Sequence, residues 1–290
     1  MTTSDVRPVH LCLVAHCLST PVSEKPQAHP ELFLQGQDLS DLLDELANDG
    51  FRFVLPTEPD AAGQNTCSVT FDDGYANNAM FLPIAERFGV PFVLFVASLN
   101  IAQQLPFLWD AKSVAGEKGW RHWSDDYREA YRGLADDVVQ RLLGDDNHRP
   151  FTMTEFETFA AHPLTHLALH THSHQPPVGR FLSGVAREIE ENQQFLRPFP
   201  RTLLRDLALP CGLYTPWTGR RILATGVDRI YTCDGGGAQH GGPIIHRISL
   251  VSPSVRGSLM TQVRRALAWQ VRLRRQVANF RYSSTLLNRL

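Results

Sequence analysis

No run of apolar residues in this chain is long enough to cross a bilayer. The longest, Val90 to Ala102, stops short of the roughly 18 residues required and is rich in strand-forming types. A secretory leader is not expected either, because Asp5 and His10 stand where a leader carries positive charge and then an unbroken apolar stretch. Cysteine is scarce and odd in number, with five residues (Cys12, Cys17, Cys67, Cys211, Cys233) and no CxxC pair. That outlines no disulfide framework; four of the five sit in apolar, strand-like contexts, where thiols serve as small buried hydrophobes. A reducing cytoplasm is therefore the expected compartment. No internal repeat, low-complexity tract or linker divides the chain. One domain over 1–290 is expected, with its core at about 9–250 and an extension over 253–290.

Acidic residues are missing altogether after Asp234, whereas nine arginines follow, from Arg247 to Arg289. Setting those nine aside leaves 19 basic against 30 acidic residues, an excess of 11 acids up to Asp234. Lysine occurs only as Lys25, Lys112 and Lys118. The basic C-terminal stretch reads as a solvated helix face, or as a surface for something anionic such as a phospholipid or a lipid-linked or nucleotide-linked sugar. On the second reading, Arg272, Arg274 and Arg275 would dock the chain at the inner face of a membrane in a salt-sensitive way. Of the 290 residues, 43% are hydrophobic and 20% charged, ample material for a core and incompatible with a disordered or fibrous chain.

Hydrophobic patterning alternates short β-rich runs with helical periods. Strands are expected at 9–17, 51–55, 67–71, 90–98, 165–171, 203–210, 229–234 and 244–250. Helices are expected at 38–50, opening on Asp38 or Ser40 and stopping at Gly50, and at 76–88, 153–161, 183–196, 215–225 and 256–280. Residues 100–150, rich in Trp, Asp and Arg, break the rhythm and read as an insertion of helices and loops. Roughly eight strands with interleaved helices point to an α/β barrel-like domain with a mainly parallel sheet.

Four places carry residues capable of chemistry. Thr70-Phe71-Asp72-Asp73-Gly74-Tyr75 brings an apolar strand to two adjacent carboxylates. A turn beginning at Asp72 would aim both at one cavity, although Asp-Asp-Gly is also an ordinary turn. His170-Thr171-His172-Ser173-His174 follows the strand at 165–171. The i, i+4 spacing of His170 and His174 would join two imidazoles on a helical turn, a metal-ligand spacing. His29, His122, His148, His162, His166 and His240 lack such a context and read as surface or loop residues. Ala208-Leu209-Pro210-Cys211-Gly212-Leu213-Tyr214 runs a strand into a turn that would offer backbone N–H groups. Ile244-Ile245-His246-Arg247-Ile248 sets a His beside an Arg in a strand, so the two face opposite ways. Together these supply an Asp and two His as metal ligands, a spare carboxylate, a donor-rich turn and a cation. Two His plus one carboxylate leave coordination positions open for water and substrate.

On these residues the sequence resembles the polysaccharide deacetylase (NodB-homology) family, family four of the carbohydrate esterases. Thr70 to Tyr75 matches the family's first motif, and His170 to His174 its second, H-(S/T)-x-x-H. Leu209-Pro210-Cys211-Gly212 is similar to the third-motif turn, and Leu11 to His16 to the opening strand, with Ala15 in place of Tyr. The resemblance implies a distorted (β/α) barrel of about seven strands, with the insertion around 100–150 and the basic C-terminal helix added to it. It also implies metal-dependent removal of an N-linked acyl group from an amino sugar. By the family pattern Asp73, His170 and His174 hold one divalent ion, expected to be Zn with Co, Ni, Fe or Mn as alternatives, and Asp72 is the general base. Tyr75, Pro210, Cys211, Gly212 and His16 are the expected substrate and oxyanion contacts. Two alignments of the late strand stay open. In one, Arg247 fixes the base and His246 replaces a proline; in the other His246 is the general acid, a role for which His16 is the other candidate.

The expectation is thus a cytoplasmic N-deacetylase acting on an N-acetylated amino sugar, an intermediate of surface-glycan assembly, lipid-linked or nucleotide-linked. Nucleic acid is not an expected partner. The rivals are a deformylase or other C–N amide hydrolase, and a carbohydrate-binding protein that kept the fold without catalysis.

Overall fold

The computed structural model describes residues 8–19, 29–58, 63–117, 126–235 and 242–268. Its strands are β1 (His10–Ala15), β2 (Cys17–Ser19), β3 (Phe33–Gln35), β4 (Arg52–Phe53), β5 (Thr66–Asp73), β6 (Phe92–Val96), β7 (Thr165–Leu169), β8 (Thr202–Ala208), β9 (Arg229–Thr232), β10 (Ile244–His246) and β11 (Ile248–Ser249). β2 and β3 form a small parallel sheet of their own. The main sheet runs β10-β9-β8-β7-β6-β5-β1-β11, parallel throughout. Its two ends are consecutive in the chain: β10 pairs with β9, and one residue later β11 pairs with β1. Residues 244–249 therefore act as one broken stave that closes a barrel of eight strands around seven positions. β4, expected as a full strand, pairs only Arg52 and Phe53 with the start of β5. The strand expected at 244–250 is interrupted at Arg247, where the backbone leaves β9 for β1.

Alternation along the staves separates two apolar sets. Leu11, Leu13, Val69, Phe71, Leu94, Leu167 and Leu169 belong to the large core, together with helix residues such as Leu42, Phe159 and Ile189. Their neighbours Cys12, Val93, Phe95, Ala168, Ala208, Tyr231 and Ile245 form a separate small cluster in the lumen. Cysteine and alanine on three of those positions leave space that larger side chains would fill. Arg247 takes it up: its side chain is fully buried, with the guanidinium carbon 5.1 Å from the Phe95 ring centroid.

The helices are α1 (Gly36–Asn48), α2 (Leu82–Phe88), α3 (Ser98–Gln103), α4 (Leu108–Val114), α5 (Tyr127–Arg132), α6 (Asp136–Leu143), α7 (Met153–Ala161), α8 (Val185–Leu196), α9 (Pro216–Leu223) and α10 (Pro253–Arg256). The expected helix at 76–88 divides into a 3-10 segment, Ala76–Phe81, and α2. Pro83 lies in the first turn of α2, where its missing N–H costs nothing. α7 starts where expected because Thr152 and Glu155 form a reciprocal capping box. The insertion consists of α3 to α6. Of the helix expected at 256–280, the described residues show a helical stretch over 259–268, separated from α10 by a break at Gly257 with φ 80°, and 269–280 lie outside the described residues. Arg272, Arg274 and Arg275 lie outside the described residues. Among the described residues no helix is long and apolar enough to cross a membrane.

Phe92 on β6 is fully buried and meets the rings of Phe71, Phe81 and Phe159 at centroid distances of 6.0, 5.0 and 5.8 Å. Phe92→Ala should lower unfolding free energy by about 3–5 kcal/mol, measured by urea denaturation, because the cavity it leaves has no room to collapse.

Candidate metal centre at the barrel mouth

β5 delivers both carboxylates from its C-terminal end. Pairing with β6 continues through Asp73, opposite Val96, so the turn does not begin at Asp72 as expected. The backbone reverses instead at Asp73 (φ 77°) and Gly74 (φ 104°), with Gly74 N–H donating to Asp72 O at 3.1 Å. Asp is among the few side chains that enter the left-handed region readily, and this reversal breaks the strand's alternation. As a result, Asp72 and Asp73 line the same cavity.

The histidine pair is not carried on a helical turn. Residues 170–174 form an irregular loop after β7, with Thr171 and His174 both at φ 60°. The i, i+4 spacing brings the imidazoles together, 4.8 Å between ring centroids, through this loop geometry. His170 Nε2 and His174 Nε2 lie 3.3 and 3.2 Å from Asp73 Oδ1, and one ligating atom from each residue falls within 4.8 Å of the others. Asp73 Oδ1 is buried yet makes no hydrogen bond of acceptable geometry. His170 Nδ1 is 3.0 Å from Ala208 O. A carbonyl only accepts, so Nδ1 carries a proton and Nε2 is the ring nitrogen that would ligate. A buried, unsatisfied oxygen facing two imidazole nitrogens is a donor set that fits a divalent cation.

Asp72, beside this trio, is bound differently. Arg247 Nη1 and Nη2 donate to its two oxygens at 2.6 and 2.7 Å, and Nη1 also reaches Thr70 Oγ1 at 3.2 Å. Both side chains are buried. Burial pushes the Asp72 carboxyl up, but the Arg247 guanidinium, with His170 and His16 adding to it, holds it below the usual carboxylate range. The same balance holds Asp73 well below that range: burial raises it, and the two imidazoles more than offset this.

These groups open into a cavity of about 450 Å³, also lined by His16, His29, Glu31, Trp109, Leu209, Cys211, Gly212, Cys233 and Arg256. Of the expected contacts, His16, Cys211 and Gly212 face it. The turn's own bonds run from Gly212 N–H to Leu209 O and from Leu213 N–H to Pro210 O, leaving the Cys211 N–H out of them. Pro210 is buried and is not part of the lining. Tyr75 is not among the lining residues either. It lies behind the wall, fully buried, donating to Asp110 Oδ2 and accepting from Trp109 Nε1, each at 2.8 Å. His246 is likewise absent from the cavity. Its Nδ1 meets Thr232 Oγ1 at 2.9 Å and lies 3.5 Å from Asp234 Oδ2, because Arg247 takes the inward position on that stave.

Sequence reasoning missed Trp109, whose ring lies 4.4 Å from that of His174. The only signal was a tryptophan inside an insertion without strand pattern. His29, read as an ordinary loop residue, lines the cavity, and His148 is buried against Phe33.

Comparison with known proteins identifies a family and a fold. The sequence pattern of the polysaccharide deacetylase family matches residues 60–228. No curated protein matches the chain. Among solved structures, the Streptococcus pyogenes deacetylase PplD, in complex with acetate, is similar with a TM-score of 0.60 at 14% identity, over 87% of this chain and 99% of that one. BC0361, a polysaccharide deacetylase from Bacillus cereus, gives 0.61 at 11% identity over 89% and 69% of the two chains. IcaB from Ammonifex degensii gives 0.58 at 17% identity over 89% and 97%. At these identities the likeness concerns the fold.

Equilibrium dialysis against zinc should show one tight site per chain. His170→Ala and Asp73→Asn should each abolish it, while His246→Ala leaves it intact.

Proposed function

The chain belongs to the polysaccharide deacetylase family, and from that premise we propose that it is a metal-dependent N-deacetylase of an N-acetylated amino sugar. The observation that carries this reading is the buried Asp73–His170–His174 trio with a second carboxylate, Asp72, fixed beside it by Arg247. A binding module has no need for a paired carboxylate next to a ligand set, which disfavours a non-catalytic role.

In this reading Asp73 and the Nε2 atoms of His170 and His174 hold the cation. When bound, a divalent ion supplies Lewis acidity: it brings the pKa of water toward neutrality and polarises a carbonyl. Zn suits an N₂O ligand set, and Co, Ni, Fe and Mn suit it too. Asp72 accepts the proton of the attacking water as general base. Arg247 keeps that carboxylate ionised and fixed in orientation, since its planar fork matches both oxygens at once. The Cys211 N–H, on the turn facing the trio, donates to the developing oxyanion. The leaving amine requires a proton. His16 is assigned to deliver it, because it lines the cavity and its buried Nδ1 has no hydrogen-bond partner among the described residues, whereas His246 is turned away. Trp109 and Leu209 supply apolar walls for the sugar and its methyl group.

The substrate is placed among intermediates of surface-glycan assembly carrying an anionic linkage, lipid-linked or nucleotide-linked, in the cytoplasm or at the inner membrane face. Arg256 on the cavity wall and the arginine-rich C-terminal sequence support an anionic substituent.

Metal-loaded protein incubated with N-acetylated oligosaccharides and with lipid-linked or nucleotide-linked N-acetyl sugars should release acetate rather than formate. Asp72→Asn should lower kcat by about 10²–10⁴-fold, whereas His246→Ala should stay within about threefold of wild type. Zinc bound without turnover of any amino sugar would overturn the reading. Arg247→Lys keeps a charge but loses the two-pronged contact, so the Asp72 pKa should rise. The acid limb of kcat/KM should then move to higher pH, read from a pH–rate profile.

A further inference from the structure

The loop that carries both histidines is held from beneath by one face of α8. Asn192, fully buried, accepts from His170 N–H through Oδ1 at 2.9 Å. Its Nδ2 donates to Val96 O at 3.0 Å and to Ser98 Oγ at 2.8 Å, and Ser98 Oγ is in turn 2.9 Å from His172 Nδ1. One helical turn earlier, the Glu188 carboxylate accepts from Ser173 N–H at 2.7 Å and Ser173 Oγ at 3.0 Å, while Glu188 O accepts from His172 N–H at 3.1 Å. The i, i+4 spacing puts both side chains on one face of α8.

The same carboxylate is reached from the insertion. Arg128 of α5 donates to Glu188 Oε1 from Nε at 2.9 Å and from Nη2 at 2.7 Å, and Nη2 also bonds Glu191 Oε2. The preceding residue, Tyr127, donates its N–H to Gln175 Oε1 at 2.9 Å and stacks on His174, with centroids 6.0 Å apart. Four donors, two from the loop and two from α5, thus converge on one largely buried carboxylate.

This arrangement has a reason. Thr171 and His174 both sit in the left-handed region that non-glycine residues rarely adopt. Such conformations persist where the surroundings over-determine them. The peptide N–H groups of His170, His172 and Ser173 are all accounted for by α8 and, at His170, additionally by Val96 O.

We propose that Glu188 and Asn192 are positioning residues for the metal-ligand loop, and that Arg128 couples docking of the insertion helix α5 to metal binding. This rests on reading Asp73, His170 and His174 as the ligands. Groups that orient ligands from behind alter metal affinity by about 10–100-fold when removed. Coupling is reciprocal, so metal must also steady α5.

Zinc affinity measured by chelator competition, alongside the visible spectrum of the cobalt form, tests this. Glu188→Gln and Asn192→Leu should weaken zinc at least tenfold, Asn192→Asp, which keeps the acceptor for His170 N–H, should weaken it less, and Arg128→Ala should weaken it severalfold. Melting temperatures of the metal-free proteins identify the variants that remain folded. In wild type, zinc should slow amide exchange over 127–132, and Arg128→Ala should remove that protection. Folded variants with wild-type zinc affinity and cobalt spectrum would overturn the positioning roles. Zinc-independent exchange at α5 would overturn the coupling. A wild-type protein that binds no zinc would instead overturn the metal reading beneath them.

Discussion

A single buried ion pair joins the closure of the barrel to its chemistry. Arg247 stands at the break between β10 and β11, where the closing stave changes partner from β9 to β1, and its guanidinium spans the lumen to clasp Asp72 at the end of β5. Desolvating both charges is expensive, and removing one partner from such a pair costs about 3–5 kcal/mol. The pair is tolerated because the lumen is lined by Cys12, Ala168 and Ala208, small enough to admit the side chain, and because Phe95 offers a ring face to the cation. The same contact that neutralises the arginine keeps Asp72 ionised next to the imidazoles.

Backbone strain is concentrated at this mouth. Asp73, Thr171, His174 and Cys211 all have positive φ without being glycine, and all belong to the three loops that meet at the cavity. Each conformation breaks the regular alternation that would otherwise send neighbouring side chains apart. The barrel staves supply the rigid frame against which these turns are held, a division of labour common in α/β barrels.

The insertion is part of the site rather than an appendage. Trp109 forms a wall of the cavity and donates to Tyr75, whose hydroxyl in turn donates to Asp110, while α5 meets the histidine loop. Burial raises the Asp110 carboxyl to about 8, against the bond from Tyr75 that lowers it.

Much of this was legible in the sequence, for physical reasons. Strand periodicity, the helical period over 153–161, the Asp72-Asp73-Gly74 ending and the clustered histidines are local signals, since they depend on residues close together along the chain. They placed the staves, the barrel class and the candidate ligands. What the sequence left open was long-range. Between His246 and Arg247, alternation said only that one faces inward; the lumen's spare volume, set by small residues on β1, β7 and β8, decided for Arg247. The histidine spacing looked helical because i, i+4 is ambiguous until loop torsions are known. Tyr75, expected to face substrate, is instead bonded by Trp109, 34 residues away. Side-chain direction at a turn, and which distant residue fills a void, follow from packing in three dimensions, and no local pattern encodes either.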